Sequence, residues 1–243
     1  MIISTMRRHR LYCPVLKAGS NTLSPEESHH AVTALRAKAG QEVILFDGAG
    51  RESTGVVIRT DRRNMTVEAA ALTTRPFDSA YRITLAVAMG RAHRQGYLIE
   101  KCTELGVAAV WPIVTERSVS QPNASAVSRW SRRAVEAAKQ SGRAWLPAIE
   151  PPTTFAQAVQ LVSRFHASAF AQTGPALTPF VAFLAAQPAS SSILVWIGPE
   201  GGWSDSEQIL AQEAGVTLVS LGPVVLRTET AAVAACAAAM LSP

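Results

Sequence analysis

The sequence predicts two units of different fold class, a small β unit followed by a larger α/β unit with a parallel sheet. Up to about Thr74, short stretches rich in Val, Ile and Thr surround one helix, a pattern typical of a small barrel-like β domain. After the linker Arg75–Ser79, apolar strand-like runs alternate with amphipathic helices, as in an α/β layer fold. Since 48% of the 243 residues are hydrophobic, the chain can build its cores without disulfide or metal support. We therefore expect domains at residues 1–75 and 76–243.

The predicted β unit contains four strands and one helix. The strands are predicted at Arg10–Leu16, Val43–Asp47, Thr54–Thr60 and Met65–Ala71. A turn is predicted at Asp47–Gly50, between two of them. The helix opens at Ser24, followed by Pro25 and then by Glu27 three residues after the cap, which is the pattern of a capping box. Gly40 is predicted to end this helix.

The predicted α/β unit begins with Ile83–Met89, a continuous apolar run typical of a strand that is covered on both faces. Further strands are predicted at Val107–Val114, Phe165–Ala171, Ile193–Ile197 and Val216–Leu221. Helices are predicted around Leu98–Leu105, at Ser125–Gln140, near Phe155–Val162 and Pro179–Ala186, after a second capping box at Ser204–Glu207, and at Thr230–Met240. Glycines at 106, 142 and 215 are predicted to end three of these helices.

Charge and cysteine content restrict the class of protein. The chain carries 23 Lys and Arg against 18 Asp and Glu, a net charge of +5 that favours an anionic partner. Its three cysteines are far apart and form no metal-binding spacing, so we expect buried thiols in a reduced cytoplasmic protein without a metal site. No signal peptide is evident, and the longest apolar stretch, Thr230–Leu241, is too short to cross a bilayer. We therefore expect a soluble protein with no membrane partner.

The segment 198–202, Gly-Pro-Glu-Gly-Gly, is the most informative stretch of the sequence. It lies between a buried strand and a capped helix, and therefore at the carboxyl edge of the sheet, where open α/β folds bind ligands. Three glycines allow the backbone to approach a flat ligand closely, whereas a tight strand-to-helix turn would need only one.

A second loop, residues 221–230, also joins a strand end to a helix start. Thr228 or Thr230 could cap the last helix, and Glu229 suits its positive end, but capping explains neither Arg227 nor Gly222. Two such loops at the tips of neighbouring strands predict one shared pocket lined by backbone groups. The pocket lacks the dinucleotide-binding glycine pattern, which disfavours a nicotinamide oxidoreductase.

Basic residues are concentrated on the helix at 125–140 and just after it. Arg129, Arg132, Arg133, Lys139 and Arg143 oppose the single acid Glu136. A solvated helix face usually mixes charges, so this excess favours contacts with phosphate. Arg36 and Lys38, at the end of the first helix, either complement its dipole or form part of a basic surface that binds nucleic acid.

The two loops resemble the hallmark motifs of the RsmE family, which are small-subunit ribosomal RNA (uracil-N3)-methyltransferases of the SPOUT superfamily. The resemblance rests on Gly198–Gly202 with Glu207, on Leu221-Gly222 and on Leu226–Ala231. Further family-like motifs are Lys101–Gly106, Thr115–Ser118, Arg129-Trp130, Glu136–Arg143 and, in the amino-terminal half, Arg10, His29-His30, Leu35-Arg36 and Asp47-Gly48. The segment Gly90–Gly96 departs from the family, where a lysine-led, more acidic stretch is expected.

This resemblance implies a fold that the residue patterns alone would not predict. It implies an N-terminal PUA-like β-barrel and a C-terminal SPOUT α/β domain with a deep trefoil knot at about residues 193–243. From the patterns alone we would expect an ordinary doubly wound sheet, since knots are essentially absent from protein folds. The resemblance also implies bound S-adenosyl-L-methionine, a homodimer whose interface completes the site, and 16S rRNA or the small ribosomal subunit as substrate.

Site residues follow from the same resemblance. Arg227 would stabilise the uracil oxygen, and Glu229, with Glu200 as the alternative, would accept the N3 proton. The residues expected to hold the cofactor are Ile197, Gly198, Pro199, Glu200, Gly201, Gly202, Leu221, Gly222, Leu226 and Thr228. Those expected to contact RNA are Arg10, His30, Arg36, Arg129, Arg132 and Arg143. The alternatives are another SPOUT RNA methyltransferase, acting on transfer RNA or ribose, and a non-catalytic RNA-binding factor of ribosome assembly.

Overall fold

The computed structural model describes residues 8–174 and 177–242. The chain divides into two compact units. The amino-terminal unit comprises residues 1–77 together with 138–146, and the carboxy-terminal unit comprises 78–137 and 147–243. The sequence patterns contain no signal for segment 138–146, because it continues a helix that reads as part of the α/β half.

The amino-terminal unit is built on a six-stranded sheet. Its elements are strand β1 (His9–Tyr12), strand β2 (Gly19–Thr22), helix α1 (Pro25–Thr33), and strands β3 (Glu42–Phe46), β4 (Arg51–Arg59), β5 (Thr66–Ala69) and β6 (Thr73–Thr74). The order is β1-β3-β4-β5-β2 with β6 beside β4, and β1 pairs with β3 in parallel while the other pairs are antiparallel. Within the described residues β1 and β2 each pair on one side only, so the sheet is open and the expected barrel is not closed.

Helix α1 begins as predicted but realises only half of the capping box. The Ser24 hydroxyl accepts a hydrogen bond from the Glu27 amide. The Glu27 carboxylate does not turn back to Ser24; it accepts hydrogen bonds from the Tyr12 amide and from Lys139 Nζ. The buried side chain of Glu27 therefore links α1 by hydrogen bonds to β1 and to the segment 138–146.

The same helix ends at Thr33, well before the predicted end at Gly40. Arg36 adopts the left-handed conformation, with φ 53°, and the Ala37 amide bonds back to a carbonyl inside the helix. Because the chain leaves the helix here, the prediction that Arg36 and Lys38 lie at its end is wrong.

The carboxy-terminal unit is an eight-stranded sheet with helices on both faces. Its elements are β7 (Arg82–Ala88), α2 (Ala92–Glu104), β8 (Ala109–Val114), α3 (Ala124–Ser141, whose last residues belong to the amino-terminal unit), β9 (Ala148–Ile149), β10 (Thr153–Thr154), α4 (Phe155–Val159), β11 (Ala167–Ala171), β12 (Thr178–Pro179), α5 (Phe180–Ala185), β13 (Ser192–Ile197), α6 (Asp205–Glu213), β14 (Thr217–Ser220) and α7 (Thr228–Leu241). The strand order is β10-β8-β7-β13-β11-β14-β12, with β9 beside β8, and every pair is parallel. The α/β prediction is confirmed.

Two apolar cores cover this sheet, one on each face. Helices α2, α3, α5 and α7 bury their apolar residues on one face, and α4 and α6 bury theirs on the other. Strands β13 and β14 both pair with β11 and not with each other, so the prediction that the two glycine loops leave neighbouring strands is wrong. Since all the strands are parallel, the loops still emerge at the same edge of the sheet, on either side of the end of β11.

Candidate functional site

A cavity of about 260 Å³ lies at the carboxyl ends of β11, β13 and β14. The predicted pocket shared by the two loops is thereby confirmed. Its walls are Ile197, Gly198, Pro199, Glu200, Gly202 and Trp203 from the first loop, Leu221, Gly222, Val224, Val225, Leu226, Thr228 and Ala231 from the second loop and α7, Gln208 from α6, and Ala171, Gln172 and Thr173 from the end of β11. Sequence reasoning missed the β11 residues because it placed β13 beside β14, although it did predict that a strand ends at Ala171.

The first loop is fixed to the sheet through Trp203. The Trp203 indole Nε1 donates a hydrogen bond to the Ala171 carbonyl at 3.1 Å, and its ring centroid lies 4.3 Å from that of Phe170. A Cβ added at Gly198 would lie 2.9 Å from this indole ring, closer than real Cβ contacts. Gly198 is therefore needed for close packing within the loop, in addition to the open backbone that a ligand requires.

Arg117, in the loop after β8, braces the first loop from outside. Its Nη1 donates hydrogen bonds to the carbonyl oxygens of Gly201 and Trp203, at 3.1 and 3.2 Å. Gly201 itself does not line the cavity, although the sequence predicts it as a cofactor contact. The motif Thr115–Ser118, to which the sequence assigned no role, thus supports the loop.

Glu207 adds a second brace from helix α6. The capping box predicted at its start is complete, since Ser204 and Glu207 exchange side-chain-to-backbone bonds. The other oxygen of Glu207 accepts a hydrogen bond from the Glu116 amide at 2.9 Å. The start of α6 and the loop after β8 are therefore held together beside the cavity.

The two glycine loops are joined directly by a hydrogen bond. The Thr228 hydroxyl donates to the Gly198 carbonyl at 2.9 Å. Helix α7 begins with Arg227 as its N-cap, and no side chain caps it, so the prediction that Thr228 or Thr230 caps this helix is wrong. Thr228 occupies the first helical position and its hydroxyl is directed to the opposite loop.

Two carboxylates, one in the first loop and one in the first turn of α7, lie near one guanidinium. Arg94, in the first turn of α2, places Nη1 3.6 Å from Glu200 Oε1 and Nε 3.5 Å from Glu229 Oε1. The second oxygen of Glu229 is buried and has no hydrogen-bond partner among the described residues. Arg227 is exposed and is not among the residues that line the cavity. Sequence reasoning found both glutamates and missed Arg94, which lies in the segment that departs from the family.

Lys101, on α2, lies between two carboxylates, with Nζ 2.8 Å from Glu100 Oε1 and 2.9 Å from Glu104 Oε1. Hydrogen bonds to Glu100 and then Glu104 raise the pKa of Lys101, and the bond from Lys101 lowers the pKa of Glu100. These shifts keep Lys101 and Glu100 charged at neutral pH, so Lys101 does not serve as a proton acceptor.

The basic residues of α3 have more acidic partners than the sequence suggests. Arg133 Nη2 lies 2.6 Å from Glu100 Oε2, and the buried Lys139 lies 3.0 Å from Glu27 Oε2. These partners come from other elements, so counting charges along α3 alone overstates the excess. Arg129 and Arg132 remain exposed.

Arg143 and Arg10, two of the predicted RNA contacts, are largely enclosed in the amino-terminal unit. Arg143 is 6% exposed, and the side chain of Arg10 is 11% exposed. Arg10 Nη2 donates hydrogen bonds to Glu52 and to the Arg143 carbonyl. Of the other predicted contacts in this unit, Arg36 is exposed and His30 is half-buried. The burial of Arg10 and Arg143 favours a structural role for these two.

Within residues 8–174 and 177–242, no helix is long and apolar enough to cross a bilayer. Over the same ranges, no cluster of three or more His, Cys, Asp or Glu residues could hold a metal ion.

Comparison with protein families matches both halves of the chain. A family described as the RNA methyltransferase domain matches residues 78–240, and one described as the RNA methyltransferase PUA domain matches residues 23–69. Ribosomal RNA small subunit methyltransferase E of Synechocystis sp. is 33% identical over 211 residues, which cover 86% of this chain and 69% of that protein. The protein of the same name from Bacillus subtilis is 29% identical, with 88% of this chain and 87% of that protein covered.

Solved structures give the same result for the fold. Ribosomal RNA small subunit methyltransferase E from Neisseria gonorrhoeae, bound to S-adenosyl methionine, superposes with a TM-score of 0.85 at 29% identity and covers 95% of this chain and 96% of that one. A Legionella pneumophila protein in complex with its bound cofactor SAM gives a TM-score of 0.84 at 32% identity, with the same coverage.

Proposed function

Because this chain belongs to the family of RNA methyltransferases that includes ribosomal RNA small subunit methyltransferase E, we propose that it methylates N3 of one uridine in 16S ribosomal RNA. It is an S-adenosylmethionine-dependent methyltransferase of small-subunit ribosomal RNA. The atom N3 and the single uridine are the finer part of the proposal. The observation that carries it is the cavity between two glycine loops joined by the Thr228–Gly198 hydrogen bond.

The cavity fits S-adenosylmethionine in its chemistry. Apolar side chains such as Leu221 and Leu226 suit the adenine ring, and the loop backbones of Gly198 and Gly222 offer polar groups to the ribose and the amino acid part. We propose that the cofactor is held by Ile197, Gly198, Pro199, Glu200, Gly202, Leu221, Gly222, Leu226 and Thr228, with Gly201 acting through its bond to Arg117. S-adenosylmethionine supplies an electrophilic methyl group on its sulfonium.

The remaining chemistry falls to acidic and basic side chains beside the cavity. Uracil N3 carries a proton that has to leave, and we propose that Glu229 Oε2 accepts it, because this oxygen is buried without a partner among the described residues. Glu200, on the cavity wall, is the alternative acceptor. Arg227 stabilises the negative charge that develops on the uracil oxygen, and its exposed side chain leaves it free to approach a bound base.

We also propose the finer features of the fold and assembly that the family resemblance implies. These are a PUA-like RNA-binding domain at 1–75, a SPOUT domain at 76–243 knotted over about 193–243, and a homodimer. The exposed apolar side chains of Val225 and Leu241, 83% and 82% accessible, support a partner surface. Light scattering tests the dimer, and a monomer at micromolar concentration would contradict it.

A protein that acts on ribosomal RNA is expected in the bacterial cytoplasm.

RNA contacts are proposed for the basic residues that the fold leaves accessible. Arg129 and Arg132 on α3 and Arg36 in the amino-terminal unit are exposed, and His30 is half-buried. The guanidinium groups of the three arginines bind phosphate and position the RNA without reading its sequence.

Methyl transfer to undermodified small ribosomal subunits tests the proposed activity. The purified protein is expected to incorporate methyl groups into 16S rRNA and not into bulk transfer RNA, and nucleoside mass spectrometry is expected to find N3-methyluridine. Arg227→Ala is expected to abolish turnover while the protein stays folded, and Arg164→Ala, at an exposed arginine away from the cavity walls, serves as the matched control.

Each of the alternatives has its own result in this assay. Methylation of transfer RNA or of ribose would identify another RNA methyltransferase of the superfamily. A protein that binds small-subunit RNA but does not bind S-adenosylmethionine in calorimetry would be an assembly factor, and both results would overturn the proposal.

A further inference from the structure

We propose that Arg94 is a positioning residue for methyl transfer, which holds Glu229 and Glu200 in fixed places beside the cavity. This inference rests on the proposed function. Arg94 belongs to the first turn of α2, Glu200 to the loop after β13, and Glu229 to the first turn of α7. Its guanidinium is the shared neighbour of both carboxylates, with Nη1 3.6 Å from Glu200 Oε1 and Nε 3.5 Å from Glu229 Oε1.

The position of Arg94 is electrostatically unusual for a helix. The amino end of a helix carries partial positive charge and stabilises acidic side chains, yet the first turn of α2 contains no acidic residue. An arginine placed there gains nothing from the helix dipole. The two carboxylates compensate for this, since each is within ion-pair distance of the guanidinium.

The carboxylates also need the cation. The side chain of Glu229 is 13% exposed and that of Glu200 is 32% exposed, and both carboxylates face the Arg94 guanidinium. Like charges in a partly buried site repel each other unless a cation lies between them. Without Arg94, we expect the two side chains to move apart, and Glu200 to shift at the cavity wall.

Arg94 divides the two oxygens of Glu229 between two tasks. Oε1 faces the guanidinium, while Oε2 is buried and has no hydrogen-bond partner among the described residues. A buried acceptor without a donor is costly, which is understandable if a substrate N–H completes it. By holding Oε1, Arg94 fixes the direction in which Oε2 can accept a proton. Glu200 lines the cavity, whereas Arg94 and Glu229 lie just outside its walls, so Arg94 acts through the two carboxylates that it contacts.

Steady-state kinetics on small ribosomal subunits separates this role from cofactor binding. Arg94→Gln removes the charge and is expected to lower kcat roughly 10- to 100-fold, because the proton acceptor loses its orientation. The Kd for S-adenosylmethionine is expected to change less than kcat, since Glu200 is the wall residue that Arg94 contacts and the other walls keep their residues. Arg94→Lys keeps a cation and is expected to recover most of the lost kcat. Arg91→Ala, at the exposed N-cap of the same helix, is the matched control and is expected to match the wild type.

A double variant tests the coupling to Glu229. If Arg94 works through Glu229, Arg94→Gln combined with Glu229→Gln is expected to be no slower than Glu229→Gln alone. Full activity of Arg94→Gln, fully additive losses in the double variant, or a loss confined to the Kd for S-adenosylmethionine would overturn the inference. Thermal melting shows whether each variant folds. If Arg94→Gln does not fold, Arg94→Lys is compared with the wild type. A 10-fold or larger loss of kcat in Arg94→Lys would then contradict the inference. Wild-type protein that does not methylate the subunits contradicts the proposed function instead, so the two failures are distinguishable.

Discussion

Thr228 shows how much one side chain contributes to the cavity between the two glycine loops. Its hydroxyl donates a hydrogen bond to the Gly198 carbonyl at 2.9 Å, and within the described residues no other hydrogen bond joins the two glycine loops. The residue is buried, so a lost bond cannot be replaced by bulk water. The loops face each other across the cavity, and this bond fixes their separation.

We therefore predict that Thr228→Val weakens binding of S-adenosylmethionine. Valine keeps the shape of threonine and removes the donor, which costs about 0.5–1.5 kcal/mol, or roughly a 2- to 10-fold increase in Kd. Isothermal titration calorimetry measures this, and Thr228→Ser, which keeps the hydroxyl, is the control. An unchanged Kd in Thr228→Val would show that the loops do not depend on this bond.

The three cysteines lead to a second prediction at the scale of single residues. Cys13, Cys102 and Cys236 are all free and buried. The hydrogen bond that the Cys102 thiol donates to Cys236, together with burial, raises the pKa of Cys102 well above its usual value, and burial raises the pKa of Cys13. These two shifts keep the thiols of Cys102 and Cys13 protonated at neutral pH, whereas the thiolate is the reactive form.

We expect these thiols to resist alkylation in the folded protein at pH 7 to 8, and all three to react after denaturation. Mass spectrometry after iodoacetamide treatment counts the modified residues. Rapid labelling of Cys102 in the native protein would show that the core around α2 and α7 opens more readily than its packing indicates.

At the scale of elements, the sequence predicts the carboxy-terminal unit better than the amino-terminal one. Helices α2 and α3 end where glycines at 106 and 142 were predicted to end them, and the capping box at Ser204 is complete. These signals are local, so a single sequence contains them. Strand β2 and the early end of α1 were missed, because Gly19–Thr22 has little β propensity and pairs with a distant strand.

The glycine loops were predictable, whereas the neighbours that hold them were not. Local patterns mark a ligand loop by its glycines and its place after a buried strand. Arg94 and Arg117 reach these loops from α2 and from the end of β8, far away in sequence. Such contacts depend on strand order, and β11 lies between the strands that the sequence suggests are adjacent.

Helix α3 supports a prediction about RNA binding. Arg129 and Arg132 are exposed, whereas Arg133 forms an ion pair with Glu100 at 2.6 Å. If the first two residues contact phosphate, Arg129→Ala and Arg132→Ala each reduce the salt dependence of RNA affinity by about one contact. Binding of 16S rRNA fragments at several salt concentrations measures the slope.

Arg133→Ala is the matched control on the same helix and is expected to leave that slope almost unchanged, because its charge is already neutralised by Glu100. An equal reduction of the slope in all three variants would mean that the Arg133–Glu100 ion pair does not keep Arg133 from contacting RNA.

At the scale of the whole chain, segment 138–146 is part of the amino-terminal unit. Trp145 Nε1 donates to the carbonyls of Arg75 and Pro76, both at 3.1 Å, and its ring lies edge-on to Phe77 at 5.6 Å. A Cβ at Gly50 would lie 2.3 Å from the Trp145 ring, so the predicted turn at Asp47–Gly50 is shaped around this side chain. No local sequence pattern could show that a residue so far along the chain completes the first unit.

We predict that Trp145→Ala destabilises the amino-terminal unit by about 1–3 kcal/mol, less than for a fully buried tryptophan because Trp145 is half-buried. Hydrogen exchange of β3 and β4 amides is expected to accelerate, while amides of β7 and β13 serve as the internal control. Equal acceleration in both units would mean that the tryptophan supports the molecule as a whole.

The order of synthesis gives segment 138–146 a further consequence. A ribosome releases the chain from its amino end, and nascent domains usually fold as soon as their last residue has emerged. Here Lys139, the partner of the buried Glu27, and Trp145 emerge only after β7, α2, β8 and most of α3. The amino-terminal unit therefore cannot be completed until residues 138–146 have been synthesised. A pause or truncation before residue 139 would leave a nascent chain in which Glu27 lacks its counterion, and one before residue 145 would leave it without Trp145.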